Sequence, residues 1–235
     1  MKKVIKLVVV CVLLLTQLTA CGSEEFSVGA WNGTNYECGY ADLSFKNVPG
    51  WQLLTDQQIA DLSGESITNI SGVKDGSVSP DDVEMAYMFA VQRADGMANV
   101  IAGFDNMNGK ATKFVSGVVG EDTYTEAVKE QLSAQTGASY QFVDTSTVTM
   151  GGQDFTMSEF TATQYGTTIR QRYYIKKYDR RMLIIVCTYV DSTKKDIDTL
   201  LKEVEKQFGD SGINSVLYRY YWIMDLLISA GRLIN

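Results

Sequence analysis

The chain contains no histidine. That absence removes Ser-His-Asp and Cys-His nucleophilic catalysis, His-x-x-x-His metal helices and the ordinary proton switch near neutral pH. Cysteine is scarce: of Cys11, Cys21, Cys38 and Cys187, only the last two fall where a folded domain is expected. Two thiols are too few for a disulfide framework, and their sequence leaves open whether Cys38 and Cys187 pair. Cys187 closes the run Leu183-Ile184-Ile185-Val186-Cys187 and reads as a small buried hydrophobe. The chain opens without a membrane-spanning length of apolar residues. Its uninterrupted run, Leu7 to Leu15, holds nine residues where a span needs about 20. Positive charge is also in deficit, with 21 Lys and Arg against 28 Asp and Glu and a formal charge of −7. Phosphate backbones repel such a chain, so nucleic acid is excluded as a partner.

What is present begins with that same run. Lys2, Lys3 and Lys6 precede it, and Leu18-Thr19-Ala20-Cys21 follows, leading into Gly22-Ser23. A basic start, a short apolar stretch, small residues and then Cys make a secretory signal peptide, in a variant that resembles the bacterial lipoprotein lipobox. It implies removal of residues 1–20 and a thioether-linked diacylglycerol on Cys21. Two acyl chains hold a protein stably where one does not, so Cys21 is the expected membrane contact. The expected location is the outer, extracytoplasmic face of the cell membrane. Losing the three leader lysines takes the formal charge to −10. Residues 21–35 read as lipidated Cys and flexible tether, being rich in Gly, Ser, Glu and Asn, and Trp31 has nothing local to pack on. An apolar fraction of 45% with 11% aromatics argues for a packed core, placed at 36–209. A hydrophobic tail, 210–235, closes the chain. Arg219 and Asp225 interrupt it and argue against a span.

Within the core region the pattern is α+β. Tyr40 to Phe45 alternates as a strand. Val48-Pro49-Gly50-Trp51 is a turn, with Trp51 expected in the core. Thr55 with Gln58 forms a capping-box pattern ahead of a helix over 56–62, with Ile59 and Leu62 facing inward and Gly64 ending it. Residues 64–82, rich in Gly, Ser and Asp, read as a loop. Val83–Arg93 and Met97–Met107 form a hairpin through Asp95-Gly96. A second loop runs through Asn108-Gly109-Lys110. A helix over 122–135 follows, stopped by Gly137, with Tyr124, Ala127, Val128 and Leu132 on one stripe. Four strands over 140–149, 153–163, 167–178 and 181–190 have short connections and predict an antiparallel meander. The last strand is apolar on both alternations and so requires cover on both faces. A closing helix spans 192–208. Helices on both sides of one antiparallel sheet of six or seven strands satisfy all of this.

Tyr36-Glu37-Cys38-Gly39-Tyr40-Ala41-Asp42-Leu43-Ser44-Phe45, Val48-Pro49-Gly50-Trp51 and the acidic helix Thr55 to Leu62 resemble the opening of PsbP-like domains in Firmicute lipoproteins. The helix, meander and closing helix are similar to the same family, which covers about 36–209. The resemblance implies the PsbP/Mog-like α-β-α sandwich and a binding or assembly role. It supplies no catalytic motif.

Local chemistry is thin. Ser71-x-x-Lys74 and Ser192-x-x-Lys195 match Ser-x-x-Lys, yet the partner motifs Ser-Asp-Asn and Lys-Thr-Gly are missing. Asn106 to Lys110 lacks the alternating oxygen ligands of a calcium loop. Asp81-Asp82 with Glu84 reads as a solvated strand entrance, and Gly109-Lys110-Ala111 fails as a phosphate loop. No catalytic residue, cofactor or metal ligand is therefore assigned. The expected function is a lipid-anchored, non-catalytic module that binds a protein or small ligand. The alternatives are a cell-envelope hydrolase using paired carboxylates, which needs no histidine, and a structural stress or sporulation lipoprotein.

Overall fold

The computed structural model describes residues 26–107, 119–134, 139–164 and 166–206. The leader 1–20, Cys21, the loop at 108–110, Gly137 and the tail 210–235 lie outside the described residues. In chain order the elements are β1 (Ala30–Asn32), β2 (Asn35–Cys38), β3 (Leu43–Lys46), β4 (Trp51–Leu53), α1 (Asp56–Ser63) and α2 (Ile67–Asp75). Then come β5 (Met85–Arg93), β6 (Ala98–Asn106), α3 (Glu121–Ser133), β7 (Ser139–Met150), β8 (Gln153–Gln164), β9 (Thr167–Tyr178), β10 (Arg181–Tyr189), α4 (Lys194–Leu200) and β11 (Val204–Lys206). A seven-stranded antiparallel sheet runs β4-β5-β6-β10-β9-β8-β7, and a smaller one runs β1-β2-β3-β11. The protein is an α+β sandwich built on the central antiparallel sheet.

Short-range chemistry explains the joints. Pro49 fixes φ and Gly50 takes φ 91°, closing a turn in which Trp51 N donates to Val48 O at 3.2 Å. The α1 capping box is complete: Gln58 N donates to Thr55 Oγ1, and Thr55 N donates to Gln58 Oε1 at 2.9 Å. Gly151 and Gly152 both have positive φ, as a two-residue hairpin between β7 and β8 requires.

The two-faced strand organises the core. Leu183, Ile185, Cys187 and Tyr189 of β10 pack toward the small sheet and α4, with Phe45, Phe89, Phe104, Ile197 and Leu200. Met182 and Ile184 face the other way, against Val119 and Tyr124 of the α3 region. Beside that layer, α1 and α2 put Ile59, Ala60 and Ile70 on Ala90. One face of the large sheet therefore carries α1, α2 and α3, and the other carries the small sheet with α4.

Four local expectations are corrected. Residues 26–35 are folded, because Phe26 packs on Tyr40 and Phe104, and Trp31 packs on Tyr36, Phe45 and Phe89. The segment 64–82 contains α2, capped by the Ser66 side chain and ended by left-handed Gly76. Leu62 is 51% exposed: α1 rests on Ile59 and Ala60 and turns Leu62 outward. The closing helix stops at Leu200, and Val204 pairs with Phe45 as a strand, because completing the small sheet satisfies backbone groups a longer helix would leave on β3.

Cys38 and Cys187 are not joined to each other, and both are fully buried. Burial pushes the Cys187 thiol well above its ordinary range, so thiolate, the reactive species, is scarce there. A chain beginning at residue 26, which carries only these two cysteines, should consume no maleimide when native and two equivalents per chain in denaturant, counted by intact mass. Labelling of either residue at native rates in buffer would contradict this burial. A second consequence concerns Tyr189, which is 1% exposed and lies under Arg172 with the guanidinium 5.2 Å from its ring centre. Its hydroxyl meets no hydrogen-bond partner among the described residues. Tyr189→Phe should raise stability by about 1 kcal/mol, read as a higher urea midpoint at unchanged slope.

Candidate functional site

Among the described residues the helical face does not close completely. Between α3 and the α1–α2 corner lies a cleft of about 460 Å³. Its floor is the sheet: Met85 and Tyr87 of β5, Asp105 of β6, Tyr173 of β9, and Ile184 and Val186 of β10. One wall is α3, which presents Tyr124, Val128, Gln131 and Leu132, a stripe at helical spacing. The other is the end of α1, Ser63-Gly64-Glu65, with Glu84 just before β5.

Strand alternation puts Ile101, Gly103, Asp105 and Met107 on this face. Ile101 and Met107 pack beneath helices as the pattern demands. Asp105 is the departure, a carboxylate 2% exposed at an apolar position. Tyr124 reaches down from α3 and its hydroxyl donates to Asp105 Oδ2 at 2.5 Å, a bond to a charged acceptor of the strong kind. The helix is itself held: Glu121 at its start accepts from Lys177 N at 2.8 Å and from the Thr156 hydroxyl at 3.1 Å. Gly103 fits where β5 bulges between Tyr87 and Phe89, since a Cβ there would come within 3.0 Å of Met85 Sδ and 3.1 Å of Ala86 O.

The acidic groups act on the tyrosines. Burial pushes the Tyr87 hydroxyl up; a bond with Ser63 opposes this, and the charges of Glu65 and Asp105 add to it. Tyr124 is raised by burial first and then by Asp105. Both phenols stay protonated across the neutral range, and Tyr124 donates to Asp105. Glu65 Oε1 accepts from Ser66 N and Asn69 Nδ2, each at 2.9 Å, while Glu84 is exposed at the rim. Among the described residues, no Lys or Arg lines the cleft.

Among the described residues, larger hollows of about 650 Å³ and about 540 Å³ lie beside Phe26–Asn32 and beside Leu201–Val204. Neither pairs a buried carboxylate with tyrosine hydroxyls, so the smaller cleft is the candidate site.

The residues singled out from sequence lie elsewhere, with one exception. Ser71 donates within its helix to Ile67 O, and Lys74 pairs with Asp56. Ser192 is exposed on a short 3-10 turn. Asp81 pairs with Arg181 at 2.5 Å, whereas Glu84, its neighbour in the acidic cluster, borders the cleft. Among the described residues no three His, Cys, Asp or Glu side chains are grouped to hold a metal. Sequence reading passed over Asp105, Glu65 and Tyr173. The available signal was the acid at position 105 on the inward alternation of an otherwise apolar strand.

No family model matches the chain, and no curated protein matches it. Among solved structures it is similar to cyanobacterial PsbP from Synechocystis sp. PCC 6803, with a TM-score of 0.46 and 8% identity over 79% of this chain and 96% of that one. It is also similar to LpqN, involved in cell envelope biogenesis of Mycobacterium tuberculosis, with a TM-score of 0.39 and 14% identity over 70% and 80%. A third is a Pseudomonas aeruginosa protein of unknown function, with a TM-score of 0.32 and 9% identity over 45% and 69%.

Proposed function

We propose that the protein is an extracytoplasmic lipoprotein of the PsbP-like kind, anchored through Cys21, that binds a small molecule in the cleft between α3 and the α1–α2 corner. The observation that carries the reading is the cleft itself. Its volume of about 460 Å³ falls in the range of ligand pockets, and apolar side chains of its floor and α3 wall stand beside a few placed polar groups. The leader pattern supports the anchor, and among the described residues no helix is long and apolar enough to cross a membrane.

Two measurements test this. Cys21→Ala should move the protein from the membrane to the soluble fraction, and intact mass should show diacylglycerol on the wild type alone. A thermal-shift panel of cationic, neutral and anionic small molecules should yield at least one class that raises Tm. The effect should vanish in Gln131→Trp, which fills the cleft from an exposed α3 position. A panel that raises Tm with no class sinks the binding reading.

A second reading is favoured by one observation. Glu65, Glu84 and Asp105 border a single cleft, as a carboxylate-based envelope glycosidase would need, with working pairs about 5–10 Å apart. Release of sugar from envelope glycan, lost in Asp105→Asn or Glu84→Gln, would move the assignment to hydrolysis.

A further inference from the structure

Among the described residues, the face of the large sheet that carries the small sheet is wider than its cover. We infer that residues 207–235 fold back into the groove at the edge of that cover, so that the hydrophobic tail completes the domain; this stands apart from the small-molecule reading. The groove, of about 540 Å³, lies where β11 and the residues after α4 end and β7, β8 and β9 continue. One row across the sheet shows how it arises. Ile185 of β10 pairs with Tyr174 of β9, and Tyr174 with Met157 of β8. Ile185 is buried in the core shared with the small sheet, Tyr174 is buried beside it, and Met157 is half-buried at the groove. Val148 and Leu201, half-buried too, line the same groove. Apolar side chains left partly in water favour an apolar cover.

The occupant follows from where the chain goes next. Val204 lines the groove, and β11 ends at Lys206. The turn between β7 and β8 stands against that strand, since a Cβ on Gly151 would come within 3.0 Å of Glu205 C. Residues 207–235 therefore start at the groove wall. The internal segments outside the described residues start elsewhere. Residues 108–118 join Met107 to Val119 on the α3 face, and 135–138 lead into Ser139, at the far end of β7 from Met150. Gln207 to Gly212 include two glycines and can reach up to about 20 Å, enough for a return. After them Ile213, Val216, Leu217, Tyr220 and Met224 recur at helical spacing. Lys202 on the rim and Asp225 in the tail are opposite in charge. A segment tied this closely meets its site at an effective concentration of about millimolar, which a second copy in dilute solution does not match. A bilayer is also the weaker competitor. Helices that lie on membranes are rich in Lys and Arg, whereas 207–235 set Arg219 and Arg232 against Asp210 and Asp225.

The test uses the full chain in vesicles of phosphatidylcholine and phosphatidylglycerol, so that bilayer, second copy and own tail compete for the groove. A benzoylphenylalanine photo-crosslinker at exposed Lys202 should link to a peptide within 213–227. Mixing isotope-labelled with unlabelled protein should place both linked peptides in one chain. Trypsin supplies an independent readout, because Arg219 falls inside the apolar stretch. Cleavage after Arg219 should run at least tenfold faster in Leu201→Glu, which puts a charge in the groove. It should do the same in Val216→Asp with Met224→Asp, which charges the tail. The tail pair lies outside the described domain and decides the matter should Leu201→Glu fail to fold. Crosslinks to the differently labelled copy, to lipid alone, or to no residue beyond 206 overturn the inference. So does cleavage after Arg219 at one rate in wild type and in the tail variant.

Discussion

A chain beginning at residue 36, where composition alone places the domain boundary, should not fold, whereas one beginning at residue 26 should. The ten residues between them supply Val28 to the core and pack Phe26 and Trp31 against it. Phe26 lies 4.9 Å from Tyr40 and 5.2 Å from Phe104 between ring centres, with the Arg181 guanidinium 3.8 Å from its own. Val28 is 4% exposed and its carbonyl accepts the Tyr36 hydroxyl. Gly29, at φ 82°, passes so close to β2 that a Cβ would meet Glu37 O at 2.3 Å. Trp31 then completes an aromatic group with Tyr36, Phe45 and Phe89, the last two stacked at 4.9 Å. Truncating a buried Phe or Trp costs about 3–5 kcal/mol, and exposing a buried Val about 1.5–3 kcal/mol. Even with partial additivity, the loss approaches the roughly 5–15 kcal/mol that holds a typical domain. The expected result is a cooperative urea transition for the longer chain and no near-UV dichroism for the shorter. Matching midpoints would show that residues 26–35 are peripheral after all. With Cys21 acylated as proposed, only residues 22–25 separate lipid from domain. At about 3.5 Å per residue, the first hairpin would stand close to the bilayer.

The missed boundary shows what the sequence makes legible. The meander and the two-faced β10 could be read directly, because alternation is a local signal and burial on both faces leaves no other pattern. The α1 capping box was legible for the same reason, since its partners lie three residues apart. The segment 26–35 carries Gly, Asn and Ser, and its order comes from Phe89 and Phe104, which are distant in the chain. The α2 segment was hidden by composition, although Ser66 and the spacing Ile67, Ile70, Val73 were present. The expected helix through Val204 had adequate local periodicity, and the vacant edge of β3 outweighed it. The cleft was least legible. Glu65, Glu84, Asp105, Tyr124 and Tyr173 are spread over about half the chain, and only the sheet order brings them together.

Arg172→Ala should destabilise the fold by about 3 kcal/mol, while Arg170→Ala, two residues away on the same face, should cost less than about 1 kcal/mol. Arg172 Nε donates to Glu159 Oε2 at 2.8 Å and Nη1 to Asp198 Oδ1 at 2.7 Å, with its side chain 11% exposed and that of Glu159 13%. It is opposite Glu159 in the sheet register and ties both β8 and α4 to β9. Arg170 shares Glu159 at 2.9 Å but is 29% exposed and pairs outward with Asp191, where solvent screens the interaction. Removing Arg172 strips Asp198 of one partner and leaves Glu159 with Arg170 alone. Replacing both members, as Arg172→Met with Glu159→Leu, should recover most of the loss, because no buried charge is then left uncompensated. The pH dependence has a definite sign. Burial raises the Asp198 carboxyl, but hydrogen bonds from Lys194 and Arg172 outweigh it and hold the group below its usual range. A depressed carboxylate adds stability above its unfolded value, about 3.9, and loses it as pH falls through the folded value. The gap between wild type and Arg172→Ala, measured by urea unfolding, should therefore be widest near neutrality and narrow below about pH 4. A constant gap from pH 7 to 3 would assign the loss to packing on Tyr189 and not to charge.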